Sequence, residues 1–128
     1  MGRPVHFEIQ ASQPQVLIDF YSALFGWSFN KWEGGEYWLI DTGDASQRGI
    51  NGGLLPRQGA VPAAMQSVNA FVCTVDVENL DDTLKQVAAL KADVVVPKMP
   101  IPGIGWLAYA KDLDGNLFGM MQSDSNAA

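Results

Sequence analysis

One histidine stands in this chain, His6, and one cysteine, Cys73. Glu8 lies two residues beyond His6, and side chains two apart on a strand point to the same side. An imidazole beside a carboxylate can orient a polar ligand, act as acid and base, or offer donors to a metal ion. Their strand positions would lie roughly 6.5–7 Å apart, so the pair supplies at most two metal ligands. The single cysteine excludes an intramolecular disulfide and a multi-cysteine zinc site. No nucleophile motif accompanies the histidine, so a hydrolytic triad is not predicted. Gly52-Gly53 and Gly103-x-Gly105 lack the strand–loop–helix context of a phosphate cradle. Asp112-Leu113-Asp114-Gly115-Asn116 has too few ligands for a calcium loop and reads as a tight turn.

The elements that must hold His6 and Glu8 follow from periodicity. Val5, Phe7 and Ile9 alternate with His6, Glu8 and Gln10, which predicts a strand with one apolar and one polar face. Leu17, Phe20, Tyr21 and Leu24 recur at helical spacing and form a stripe that must cover an apolar sheet face. Pro14 suits the first turn of this helix, with Ser12 or Gln13 in the cap region, and Gly26 closes it. If the stripe covers Val5, Phe7 and Ile9, then His6, Glu8 and Gln10 face the other way. Further strands are expected at 27–32, 36–41 and 50–55.

The chain then repeats itself. A shift of 64 residues sets His6-Phe7-Glu8-Ile9 over Ala70-Phe71-Val72-Cys73. The second half accordingly reads as a strand with Phe71, Cys73 and Val75 on one face, which makes Cys73 a small core residue. A helix follows, carrying Leu80, Leu84, Val87 and Ala88 and capped by Asp76 or Asn79. Strands are expected at 93–96, 106–111 and 116–122, with a Pro/Gly-rich loop from Met99 to Gly105 and a frayed tail from Ser123. The expected organisation is one domain over 1–128: a module at about 4–56, a connector at about 57–67 and a second module at about 68–123. Neither half alone is large enough to bury a core well.

Composition narrows the partners. The 128 residues carry 8 Lys and Arg against 14 Asp and Glu, a net charge of −6. That sign disfavours nucleic acid and anionic membranes. No apolar run approaches the roughly 20 residues that span a bilayer. With 48% hydrophobic residues the chain can build a core. A cytoplasmic domain is the expectation.

Two βαβββ halves, the Phe20-Tyr21…Leu24-Phe25-Gly26-Trp27 stretch and the Asp112–Asn116 turn before a final strand together resemble the vicinal oxygen chelate superfamily. That group includes glyoxalase I, bleomycin-resistance proteins, fosfomycin-resistance enzymes and extradiol dioxygenases. The resemblance implies an α+β fold of two tandem βαβββ modules, forming curved half-barrel sheets with helices on the convex side. It also implies frequent homodimerisation. Metal-dependent members take ligands from four equivalent strand positions. His6 matches the first, whereas Ala70 and Gly119 occupy two others, and the fourth falls near Asn51-Gly52-Gly53. Three positions thus lack a donor, and no tightly bound metal or other cofactor is expected.

The sequence therefore predicts a glyoxalase/bleomycin-resistance-like protein that binds a small apolar or aromatic molecule in a concave cleft. His6 and Glu8 would orient its polar atoms or act on it chemically. Trp38, Trp106, Tyr109 and Met121, with Met120 nearby, are candidates to line the cleft. Two alternatives stay open. One is a lyase, isomerase or oxygenase of the same superfamily using His6 as metal ligand or as acid/base, with Tyr109 or Asp41 as partner. The other is a dimeric interaction module without a ligand. Whether the chain is an enzyme is not decided by the sequence.

Overall fold

The computed structural model describes residues 2–128. They divide into two compact units, one running to Val61 and the other from Pro62.

The first unit runs β1 (Phe7–Ala11), α1 (Pro14–Phe25), β2 (Ser28–Lys31), β3 (Trp38–Asp41) and β4 (Gly52–Pro56). Its sheet has the order β1-β4-β3-β2, with β1 parallel to β4 and the other pairs antiparallel. Pro14 opens α1, where its missing N–H costs nothing, and Gly26 caps it at φ 73°, a left-handed conformation that glycine adopts without penalty. Gln13 stands at the N-cap without a side-chain hydrogen bond. The predicted stripe of Leu17, Phe20, Tyr21 and Leu24 is buried, together with Ile40 and Leu54 from the sheet. Trp27 lies within ring-contact distance of Phe7, Tyr21 and Phe25, so the helix, its exit and the first strand share one aromatic cluster. Full burial of a side chain such as Phe20 stabilises by about 1.5–3 kcal/mol.

The second unit runs β5 (Thr74–Asp76), α2 (Leu80–Ala89), β6 (Asp93–Ile101), β7 (Gly105–Lys111) and β8 (Leu117–Ser123). Its sheet repeats the permutation as β5-β8-β7-β6, again with the first strand parallel to the last. Asn79 caps α2 by accepting from the Asp82 amide at 3.0 Å. Leu80, Val87, Ala108, Ala110, Phe118 and Met120 form the core. Asp112 is buried in the turn between β7 and β8. Its carboxylate accepts from the amides of Asp114 and Asn116 and from the Asn116 side chain. The α+β reading with tandem βαβββ order therefore holds.

Several local expectations are corrected. Val5 lies before β1 and is exposed rather than part of its apolar face. Phe71 is fully exposed and Cys73 is exposed as well, because the ladder of the second unit starts only at Thr74. Glu8 and Thr74 occupy matching places, opposite Gly53 and Gly119. The counterpart of His6 is thus Val72, two residues before Thr74, and not Ala70. Met99 and Pro100, expected in a loop, belong to β6. Its ladder with β7 is interrupted twice, between Val94 and Val96 and between Val96 and Met99. An edge strand tolerates Pro97 and Pro100 because its outer N–H groups need no partner. The tail does not fray: the Ala127 carbonyl accepts from the Gly103 amide, the Asp124 amide donates to Ile104, and Ala127 is buried.

Candidate functional site

Strand alternation sorts the side chains of the first unit into two sets. Phe7, Leu54, Ile40 and Trp38 lie on the side covered by α1, as the Phe7–Trp27 contact and the burial of Leu54 and Ile40 establish. Glu8, Gly53, Leu39 and Asn30 share the opposite, open face. Here a group forms that the sequence reading half anticipated. The Tyr37 hydroxyl donates to Glu8 Oε2 at 2.9 Å and lies 2.8 Å from His6 Nε2. The His6 and Tyr37 rings run nearly parallel, 13° apart.

Gly53 makes this arrangement possible. A Cβ at position 53 would overlap the Tyr37 ring and hydroxyl, so only glycine leaves the tyrosine room to lie across β4. Burial pushes the Tyr37 hydroxyl up to about 12, helped by its hydrogen bond to Glu8 and by the negative charge there. Tyr37 is therefore a neutral hydrogen-bond donor at any physiological pH. Tyr37, not among the residues expected from the sequence, sits in the β2–β3 connection close after Gly34-Gly35. The one available cue was the pairing of a lone tyrosine after a glycine turn with a glycine on the facing strand.

The remaining candidates separate. In the second unit Tyr109, Gly119 and Thr74 share the face away from α2, with Met121 and Leu107 beside them. A Cβ on Gly119 would meet Thr74 Oγ1 at 3.0 Å and the Tyr109 ring at 3.1 Å, so Tyr109 leans over this glycine. Met120 is fully buried on the helix side. Trp38 and Trp106, expected to line a cleft, both lie on helix-covered faces. Trp38 pairs with Leu54 and has Lys31 5.9 Å above its ring. Trp106 pairs with Gln122, whose side chain accepts from the Leu80 amide at the start of α2. Its indole donates to Asp124 at 3.0 Å, and Lys98, ion-paired with Asp81 of α2, lies 4.9 Å over its ring. In each case the cause is register: the tryptophan is one residue out of phase with the open-face positions. The Asp41 carboxylate accepts from the Gly43 amide, away from the His6–Tyr37–Glu8 hydrogen bonds. Although Cys73 is exposed as a residue, neighbouring atoms partly desolvate its thiol and raise it, which keeps it from being a ready thiolate.

No family model matches the chain. It is 25% identical over 124 residues to the protein named "Putative glyoxylase CFP32" of Mycobacterium bovis, with the same match in Mycobacterium tuberculosis. That match covers 94% of this chain and spans 44% of the length of those relatives. Among solved structures, the fosfomycin resistance protein FosX of Listeria monocytogenes, complexed with Mn(II) and 1S,2S-dihydroxypropylphosphonic acid, superposes with a TM-score of 0.73 at 16% identity. The alignment covers 97% of this chain and 92% of FosX. TioX of Micromonospora sp. ML1 gives 0.68 at 18% identity, over 96% of this chain and 100% of TioX. A glyoxylase/bleomycin resistance protein/dioxygenase domain of Frankia sp. EAN1pec gives 0.69 at 15%, over 97% and 99%. The chain has the fold of the vicinal oxygen chelate superfamily, and its resemblance is to the glyoxalase and bleomycin-resistance type.

The donor set does not fit the metal that such proteins often hold. Of the four positions the resemblance implies, only that of His6 carries a ligating side chain, and His6 lies just before β1 rather than on it. Val72 has no donor, and the spaces at Gly53 and Gly119 are taken by Tyr37 and Tyr109. Among the described residues no three His, Cys, Asp or Glu side chains converge. A divalent ion needs about four donors at roughly 2.0–2.3 Å. No helix among the described residues is long and apolar enough to cross a membrane.

Proposed function

We propose that the chain is a metal-free small-molecule-binding protein of the glyoxalase/bleomycin-resistance type. Its polar anchor is the His6–Tyr37–Glu8 chain on the open face of the first sheet. The observation that supports this reading is the Tyr37 hydroxyl seated over Gly53 and hydrogen-bonded on both sides. It fills the space from which a β4 ligand would project, and with its one proton donated to Glu8 it fixes the His6 imidazole and the Glu8 carboxylate that would meet a ligand's polar atoms. Leu39 and Leu55 flank it with apolar surface, which suits an aromatic or apolar molecule bearing one or two polar substituents. Tyr109 and Met121 offer similar material in the second unit. The protein would work as a homodimer. A second reading, a lyase or isomerase with His6 as acid or base, draws on the same hydrogen bond. The high proton affinity of Tyr37 favours orientation over proton abstraction by that group.

The test is binding of a panel of substituted phenols to the wild type and to Tyr37→Phe and Gly53→Ala, with metal analysis of the same preparations. Weaker binding in both variants, with no stoichiometric metal in any sample, is the expected result. A divalent ion retained at one per chain and lost in His6→Ala would overturn the reading. So would phenol affinities that neither variant changes.

A further inference from the structure

A second feature lies outside the His6–Tyr37–Glu8 group. The chain between β3 and β4, residues 42–51, folds over a pocket of about 410 Å³ whose wall includes Val5, Asp44, Ala45, Arg48 and Ile50. This loop is built rather than loose. Thr42 donates its amide to Asn51 Oδ1 at 2.9 Å and its hydroxyl to the Ile50 carbonyl at 2.8 Å, which closes the loop at its base. The Asp41 carboxylate accepts from the Gly43 amide, and the Asp44 carboxylate from the Ser46 amide. Gly49, at φ 155°, allows the return toward β4.

The charges on this wall are what the fold leaves unanswered. Arg48 makes no ion pair or side-chain hydrogen bond among the described residues. Ser46 hydrogen-bonds the Asp44 carboxylate through its amide and its side chain, which holds the carboxyl below the usual range, so it is ionised near neutrality. Opposite charges line one pocket without meeting. A plain anion would be attracted by Arg48 and repelled by Asp44, and a plain cation would meet the reverse. A molecule carrying both charges satisfies both groups at once. A guanidinium pairs with a carboxylate through two parallel hydrogen bonds, and the Asp44 carboxylate, with about four lone-pair sites, can accept from an ammonium beyond what it takes from Ser46. Val5, Ala45 and Ile50 supply apolar surface for a hydrocarbon side chain.

We propose that this pocket binds a small dipolar molecule of the α-amino acid class, its carboxylate on Arg48 and its ammonium on Asp44. The site is independent of the open-face group, and its failure would leave the proposed function standing.

The test titrates three probes of similar shape into the isotope-labelled full chain: leucine, leucinamide and 4-methylpentanoate. Amide shifts of Gly43, Ser46 and Gly49 report binding. Leucine is expected to bind saturably, and loss of either charge should weaken binding about tenfold or more. Arg48→Ala should abolish the preference for leucine over leucinamide. Asp44→Asn, which keeps an acceptor for the Ser46 amide, should abolish the preference over 4-methylpentanoate. The proposal is overturned if leucine produces no saturable shift, if 4-methylpentanoate binds as tightly as leucine, or if Arg48→Ala leaves the leucine affinity unchanged.

Discussion

The two units share one strand permutation and spend their side chains differently. In the first, α1 buries Leu17, Phe20, Tyr21 and Leu24 within an aromatic cluster, and the open face carries a hydrogen-bonded His6–Tyr37–Glu8 chain. In the second, α2 buries only Leu80 and Val87. Its core draws on small sheet residues such as Ala108 and Ala110, and polar links fasten the helix side: Asn79 at the cap, Lys98 with Asp81, and Trp106 with Asp124. The matching open-face positions there are Thr74, Gly119 and Tyr109, with no titratable pair. A duplicated scaffold has thus kept its backbone pairing while the polar chemistry gathered in one copy. The fold needs the ladder and the covered face, and the open face is free to differ.

The largest test of this contrast is in the cores. Phe20→Ala should cost about 3–5 kcal/mol in chemical denaturation, the range for deleting a buried aromatic. An equal loss from Val87→Ala would break the view that the first unit depends on its aromatic cluster. Next come the two tyrosines that overlie glycines. Tyr37→Phe removes hydrogen bonds to two neighbours and should cost about 0.5–1.5 kcal/mol. Tyr109→Phe, whose hydroxyl has no hydrogen bond among the described residues, should stay within about 0.5 kcal/mol. Similar losses from both would erase the functional difference drawn between the faces. The helix starts sharpen the contrast in the opposite direction: Asn79→Ala should cost about 1 kcal/mol, and Gln13→Ala, with no cap bond to lose, a few tenths.

The last contrast concerns pH. The fold raises Tyr37 from 10.0 to about 12. Between these values the folded chain keeps a proton that the unfolded chain has released, so stability is full below pH 10 and falls as pH rises through 12. Phenolate absorbance, with Tyr37→Phe identifying the Tyr37 step, should show that step moving to lower pH in Glu8→Gln. A Tyr37 step that Glu8→Gln leaves unmoved would deny the Glu8 contact.

Much of the frame was legible in the residues. The stripe of α1, its Pro14 start and Gly26 stop, the pairing of His6 with Glu8 on one face, and the Asp112–Asn116 turn each follow from a local rule of period or turn chemistry. What escaped depends on register. Trp38 and Trp106 were read onto the open faces because an aromatic run gives no sign of which side it presents, and a one-residue offset reverses the side. The second ladder begins at Thr74 rather than near Ala70, since apolar residues before a strand look like the strand itself. The prolines of β6 suggested a loop until an edge position made them harmless.

Composition and spacing by themselves determined two βαβββ repeats and one imidazole with a carboxylate beside it, and the family resemblance implied the lack of donors at Gly119 and near Gly53. Only tertiary structure decided what stands in those gaps. Tyr37 reaches Glu8 and His6 from a different strand connection, far along the chain, and it fits because the sheet places a glycine beneath its ring. Sequence periodicity reports the side a residue faces within its own element. It carries no information about which distant side chain will occupy the space a missing one leaves, because that depends on strand order and register in three dimensions.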